Sequence, residues 1–161
     1  VDTLVGVWLP AWRPRARIKE VQHPKFYLFD PGVARGVGGR LREPLEGAER
    51  GPLLETLVLH ELRAAVNCQN LGGTFAYWRT PSGSEVDFVW ERGKKRVGIE
   101  VKAAGEWRRE FGGALAELRA EGKLTAAFAV YAGRQRLKDR GIVVLPVAEF
   151  MRELAAGRVL A

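Results

Sequence analysis

The spacing of apolar residues changes period several times along this chain, and each change marks an element. Residues 2–9 (DTLVGVWL) and 26–29 (FYLF) are short, mostly apolar runs that predict strands. Asp30-Pro31-Gly32 then starts a short helix, because Asp is a good N-cap and Pro at the first helical position gives up no hydrogen bond. Gly36, Gly38 and Gly39 stop it soon afterwards. From Gly51 to about Asn67 the period becomes helical. Leu53, Leu54, Leu57, Val58, Leu59, Leu62, Ala65 and Val66 cover most of the circumference, and Thr56, His60, Arg63 and Asn67 make a narrow polar face. Residues 75–80, 85–91 and 96–103 are rich in aromatic and β-branched side chains and are separated by Pro/Gly/Ser or Gly/Lys turns, which predicts three successive strands. A second long helix is expected over 106–121, with Trp107, Phe111, Ala114, Leu115 and Leu118 on one stripe. Strands at 126–132 and 141–145 follow. A last helix starts at Pro146 and places Val147, Phe150, Met151 and Leu154 on one face.

No repeat and no linker divides this series, so the expectation is a single α/β domain over residues 1–161, with a strand and basic extension at 1–50 and the core at 51–161. Composition adds limits. A chain of 161 residues that is 47% apolar and 28% charged has ordinary globular values, which exclude a disordered or low-complexity chain. The single cysteine, Cys68, excludes an internal disulfide and a multi-cysteine zinc site and suggests a cytoplasmic, reducing compartment. No apolar run is long enough for a membrane span. A net charge of +7 suits either simple solubility or an anionic partner, with nucleic acid first in line. The chain opens on Val1, already close to a strand, as a fragment of a longer protein would.

Two acids, Glu55 and Glu61, fall inside the apolar arc of the long helix, where an ionised carboxylate is costly without a cation or several donors. In 84–91 (SEVDFVWE) strict alternation puts Glu85, Asp87 and Val89 on one face and Val86, Phe88 and Trp90 on the other. In 98–102 (GIEVK) it pairs Glu100 with Lys102, opposite Ile99 and Val101. The turn at 92–95 makes these strands a hairpin and brings Asp87 near Glu100. A lone Glu-x-Lys carries almost no information. A helical Glu followed by Asp and, thirteen positions on, Glu-x-Lys on paired strands is far more specific.

The succession Glu55, Asp87, Glu100-Val101-Lys102 on helix, strand and strand resembles the PD-(D/E)XK, or restriction-endonuclease-like, nuclease superfamily, whose core runs α-β-β-β-α-β. HPKFYLFDPG at 23–32, GPLLETLVLHEL at 51–62, YWRTPSGSEVDFV at 77–89 and IEVK at 99–102 look more narrowly like one group: the C-terminal domain of unknown function on predicted prokaryotic AAA-type ATPases. The likeness runs from about Leu4 to Leu154. It implies a mixed central sheet flanked by helices, DNA as substrate, an upstream ATPase domain as partner, and scope for oligomerisation. No Walker-type glycine loop occurs here, so no ATP site is expected in this chain. The resemblance also implies roles: Asp87 and Glu100 would be ligands of Mg²⁺ (or Mn²⁺), Glu55 a ligand directly or through water, and the Val101 carbonyl a further one. Lys102 would act with Asp87 and Glu100 in catalysis, orienting the attacking water or stabilising charge on phosphorus. Glu85 and Glu61 would support the ligands from behind, although Glu85 could itself be a ligand. Val86, not proline, precedes Asp87.

Arg13, Arg15, Arg17 and Lys19 in the basic segment that ends at Lys25, and Lys94, Lys95 and Arg96 in the hairpin turn, are candidates for phosphate contacts. Together they suggest a basic rim around an acidic centre. With only His23 and His60, a histidine-based metal site or triad is not expected. Cys68 reads as a small core residue, and the five tryptophans as packing residues. The alternative to a nuclease is a non-catalytic module of the same fold, in which Lys102 simply neutralises Glu100 and Asp87 and the domain binds DNA or protein or assembles the ATPase.

Overall fold

In the computed structural model, residues 5–13 and 23–160 are described. Arg15, Arg17, Lys19 and the first residues of the expected 2–9 strand lie outside them. Strands β1 (Gly6–Leu9) and β2 (Lys25–Leu28) form a small antiparallel pair. Helix α1 (Pro31–Val37) follows, its N-cap Asp30 accepting from the Val33 N–H as the sequence anticipates. Then come helix α2 (Gly47–Cys68), an antiparallel meander of β3 (Thr74–Arg79), β4 (Glu85–Arg92) and β5 (Lys95–Lys102), and a 3₁₀ turn at Arg109–Gly112 that leads into α3 (Gly113–Ala120). Strand β6 (Ala126–Tyr131) runs parallel to β5, and β8 (Ile142–Pro146) parallel to β6, with the short β7 (Leu137–Asp139) antiparallel at the edge. Helix α4 (Val147–Ala155) closes the described chain.

The fold is therefore mixed α/β, with a six-stranded sheet in the order β3-β4-β5-β6-β8-β7, and its middle follows the α-β-β-β-α-β succession. Its two faces carry separate cores. On one, Val58, Leu59 and Leu62 of α2 and Phe150 and Leu154 of α4 pack on Phe88, Trp90, Val97, Ile99 and Val101. On the other, Leu115 and Leu118 of α3 pack on Val86, Val89, Ala127 and Val144. Among the described residues no helix is long and apolar enough to cross a membrane.

Four sequence expectations need correction. Helix α2 starts four residues early, at Gly47, and runs through Pro52, because Glu49 accepts from the Glu46 N–H (3.3 Å) and pairs with Arg40 (2.9 Å), which fixes the first turn. Thr56 is buried rather than on a polar face, its hydroxyl donating to the Pro52 carbonyl at 2.8 Å. The helix expected over 106–121 is α-helical only from Gly113. The Gly112-Gly113 pair weakens helix formation, and a Cβ at Gly112 would lie 2.7 Å from Ile142 Cδ1, so the chain presses onto β8 there instead of coiling. Trp107 leaves the helical stripe, donates to Asp139 (3.1 Å) and stands edge-on to Phe111 and Tyr131. Cys68, finally, is exposed at the end of α2 rather than in the core.

Candidate active site at the parting of two strands

The site begins with a register shift. Ala76 opposes Val89 and Trp78 opposes Val86, so β4 carries one residue more than β3 over this stretch. Such a bulge bends the strand and re-aims the side chains around it. Strict alternation fails here: Val86 packs with Val89 on the α3 face rather than with Phe88 and Trp90. Beyond the pair Phe88↔Ile99 the β4–β5 ladder ends, and the Val101 N–H is taken by the Asp87 carboxylate at 2.8 Å. A side chain fills the place of a backbone partner where the two strands part.

Glu100 and Lys102, two apart on β5, share a face as expected, with Lys102 Nζ 2.5 Å from Glu100 Oε1. Asp87 and Glu100 are buried, and Lys102 is half-buried. The second oxygen, Glu100 Oε2, is buried with no hydrogen-bond partner among the described residues. Burial pushes both carboxyls up: that of Asp87 chiefly by desolvation and then by the Glu55 charge, that of Glu100 by desolvation and then by Asp87. Burial opposes the charge on Lys102, but the Glu100, Asp87 and Glu55 carboxylates outweigh it and raise the ammonium's pKa. Three carboxylates thus bear on one ammonium.

Helix α2 supplies Glu55, which stands over this cluster. The Tyr27 hydroxyl donates to Glu55 Oε2 at 3.0 Å, and burial, followed by the Glu55 charge, raises the phenol's pKa well above its ordinary value. Glu85, at the start of β4, pairs with Lys25 and with Arg79 (3.6 Å), so two cations already hold it. Lys25 and Tyr27 are the site residues that sequence reasoning missed. Lys25 ends the basic segment expected to meet phosphates, yet it pairs with Glu85, its ammonium 5.2 Å from the centre of the Tyr77 ring. Their alternation on a short strand was the available signal. On its α3 side the cluster opens into a cleft of about 830 Å³ where Glu85, Glu100 and Lys102 face Glu110, Phe111, Glu117 and Arg140.

The remaining candidates lie elsewhere. Glu61 is six residues beyond Glu55, about 240° around the helix, and makes no hydrogen bond or ion pair among the described residues. Lys94, Lys95 and Arg96, at the turn that closes the other end of the β4–β5 hairpin, lie about 13–20 Å along the strand from Glu100, so they do not border the carboxylates. Arg96 is held there by Glu91 (2.9 Å). Arg13 is exposed, just past Trp12, whose indole donates to Glu91 (3.2 Å) while its ring packs in the α3-side core.

The donor chemistry fits a small hard cation: oxygen ligands, an excess of buried negative charge and an unpartnered carboxylate oxygen at Glu100. In the described arrangement Glu55 rests on Tyr27, and no three acidic, histidine or cysteine side chains converge on one point among the described residues.

Fold and cluster together define a mixed α/β domain with a buried acid–lysine constellation where two central strands part. Residues 50–150 match the family described as a domain of unknown function (DUF4143), and the chain belongs to that family. The matched stretch contains Glu55, Asp87, Glu100 and Lys102 but not Lys25 or Tyr27. No curated protein and no solved structure matches the chain.

Proposed function

We propose that this domain is a divalent-metal-dependent nuclease of the PD-(D/E)XK type that hydrolyses DNA phosphodiester bonds as the effector part of an AAA-type ATPase. The observation that carries the reading is a pair of buried carboxylates, Asp87 and Glu100, with the single ammonium of Lys102 beside them where β4 and β5 part. Asp87 and Glu100 would hold Mg²⁺, with Glu55 and the Val101 carbonyl as further oxygen donors. When bound, such an ion supplies a Lewis acid for the phosphoryl group and makes water a better nucleophile. Asp87 is fixed for this role by the Val101 N–H. Lys102 carries its charge on the cleft side of β5, where it can meet negative charge developing on phosphorus. Glu85, neutralised by Lys25 and Arg79, shapes the cleft mouth rather than adding a ligand.

The ATPase partner rests on the sequence resemblance alone. The test incubates single-stranded, duplex and branched DNA with Mg²⁺ or Mn²⁺, beside Glu100→Ala. Cleavage by the wild type and its loss in the variant are expected; equal traces in both would mean contamination and end the proposal. A second reading, a non-catalytic binding or assembly module, is favoured by one observation: Lys102 already pairs with Glu100 at 2.5 Å. It predicts DNA or protein binding without cleavage, and no divalent-metal stabilisation. A rise in melting temperature with Mn²⁺ that vanishes in Asp87→Ala would count against it.

A further inference from the structure

Strand β2 lies outside the stretch that matches the family, yet it sends two side chains into the acidic cluster. Lys25 and Tyr27 are two apart on a strand and so point to one side; Lys25 pairs with Glu85 and Tyr27 donates to Glu55. Phe26, between them, is exposed on the other side. The Tyr27 ring is itself fixed. It is buried and packs at a tilt on Phe88, with ring centres 5.9 Å apart, directly beside Asp87 in sequence. The phenol proton therefore has a defined direction, and it ends on Glu55 Oε2 at 3.0 Å.

We propose that Tyr27 is a positioning residue of the metal site: its hydroxyl orients the Glu55 carboxylate toward Asp87 and Glu100, so that the β1–β2 hairpin is an integral wall of the site. The inference rests on the metal-dependent reading given above and deepens it. Without the phenol, Glu55 is a long side chain on a helix with three free torsions and no other hydrogen bond among the described residues. With it, one oxygen is occupied and the other makes no hydrogen bond among the described residues. Lys25 acts on the same strand by taking up Glu85, which removes a competing carboxylate from the set. Groups that orient ligating side chains in this way typically matter by about 10–100-fold in metal affinity.

The experiment is a double-mutant cycle on the whole chain, with Mn²⁺ affinity measured by isothermal titration for the wild type, Tyr27→Phe, Glu55→Gln and the double variant. Near-ultraviolet circular dichroism checks that each is folded; Tyr27→Phe keeps the buried ring. Tyr27→Phe is expected to weaken Mn²⁺ about 10-fold and to add almost nothing in the Glu55→Gln background, because it works through Glu55. A merely structural role would give an additive loss in both backgrounds, and that result overturns the inference. Wild-type affinity in Tyr27→Phe overturns it too, while leaving the metal-dependent reading intact. Absence of Mn²⁺ binding by the wild type, with Asp87→Ala indistinguishable, sinks both together.

Discussion

Replacing Glu100 with Gln should make the metal-free domain more stable, and increasingly so as pH rises. Glu100 is buried beside Asp87, and its folded-state pKa is raised from the ordinary carboxylate range to about 8, first by desolvation and then by the Asp87 charge. A carboxyl whose folded pKa is raised binds its proton more tightly in the folded than in the unfolded chain. The stability it lends is full below about pH 4 and is lost as pH climbs towards 8. Gln never titrates and escapes that loss. Each tenfold change in acidity is worth about 1.4 kcal/mol, so the rise to about pH 8 sets a ceiling of roughly 5 kcal/mol. Two features of the site lower this figure. Lys102 lies 2.5 Å from Glu100 and loses its partner in the variant, and one proton shared between Asp87 and Glu100 relieves both carboxylates. An advantage of about 1–3 kcal/mol for Glu100→Gln at pH 8, shrinking to near zero at about pH 5, is the expected outcome. Urea denaturation of both proteins in excess chelator at several pH values reads it directly. A variant less stable than wild type by the same margin at every pH would show that Lys102 fully compensates Glu100 and that the cluster holds no excess charge.

Three further predictions test the frame around the site. A Cβ at Gly98 would lie 2.6 Å from Leu115 Cδ1 and from Leu124 Cδ1, so Gly98→Val should cost about 1–3 kcal/mol by wedging α3 off β5; an unchanged urea midpoint would refute that close approach. Phe150 is fully buried between α4 and the sheet, and Phe150→Ala should cost about 3–5 kcal/mol in the same assay. The hairpin turn lies well beyond the ~8 Å screening length at physiological salt, so Lys94→Glu combined with Lys95→Glu should leave Mn²⁺ affinity unchanged. A clear gain in affinity in that titration would mean the turn lies closer to the carboxylates than the strand geometry allows.

How far the sequence was legible depended on whether an element's signal was local. The meander, the long helix and the terminal helix follow from period and turn chemistry alone, and the Asp30 cap was recognisable from three residues. Glu100 and Lys102 fell where alternation put them, because β5 pairs in unbroken register with β6 as far as Lys102 and keeps a strict period of two. Asp87 was found for an incomplete reason. Alternation set it on the face of Glu85 and Val89, whereas the bulge breaks alternation just there and leaves its carboxylate on the backbone of β5. A bulge depends on the register of a neighbouring strand, which no single segment encodes. Lys25 and Tyr27 were missed for the same reason, since what singles them out is the packing of β2 against elements that follow it in the chain. Lys94, Lys95 and Arg96 do not border the carboxylates for a reason of simple distance: a turn that closes a hairpin lies at the opposite end from the place where its strands part.

Charge bookkeeping separates the two readings of the cluster more sharply than the motif does. Around Glu85 the carboxylate is more than matched, with Lys25 and Arg79 both in reach. Around Asp87, Glu100 and Glu55 the opposite holds: among the described residues one ammonium, one phenol and one backbone N–H serve three carboxylates, and Glu100 Oε2 has no hydrogen-bond partner. A network kept only for stability gains nothing from such an excess, since well-packed apolar side chains in place of a buried ion pair are often as stable or more so. Buried carboxylates in excess of the cations beside them store a destabilisation that an external cation would release on binding. The same excess that should make Glu100→Gln the more stable protein without metal should make wild type the one that Mn²⁺ stabilises. Opposite signs for that one substitution, with and without the ion, are what a metal site requires and what a self-contained salt-bridge network cannot produce.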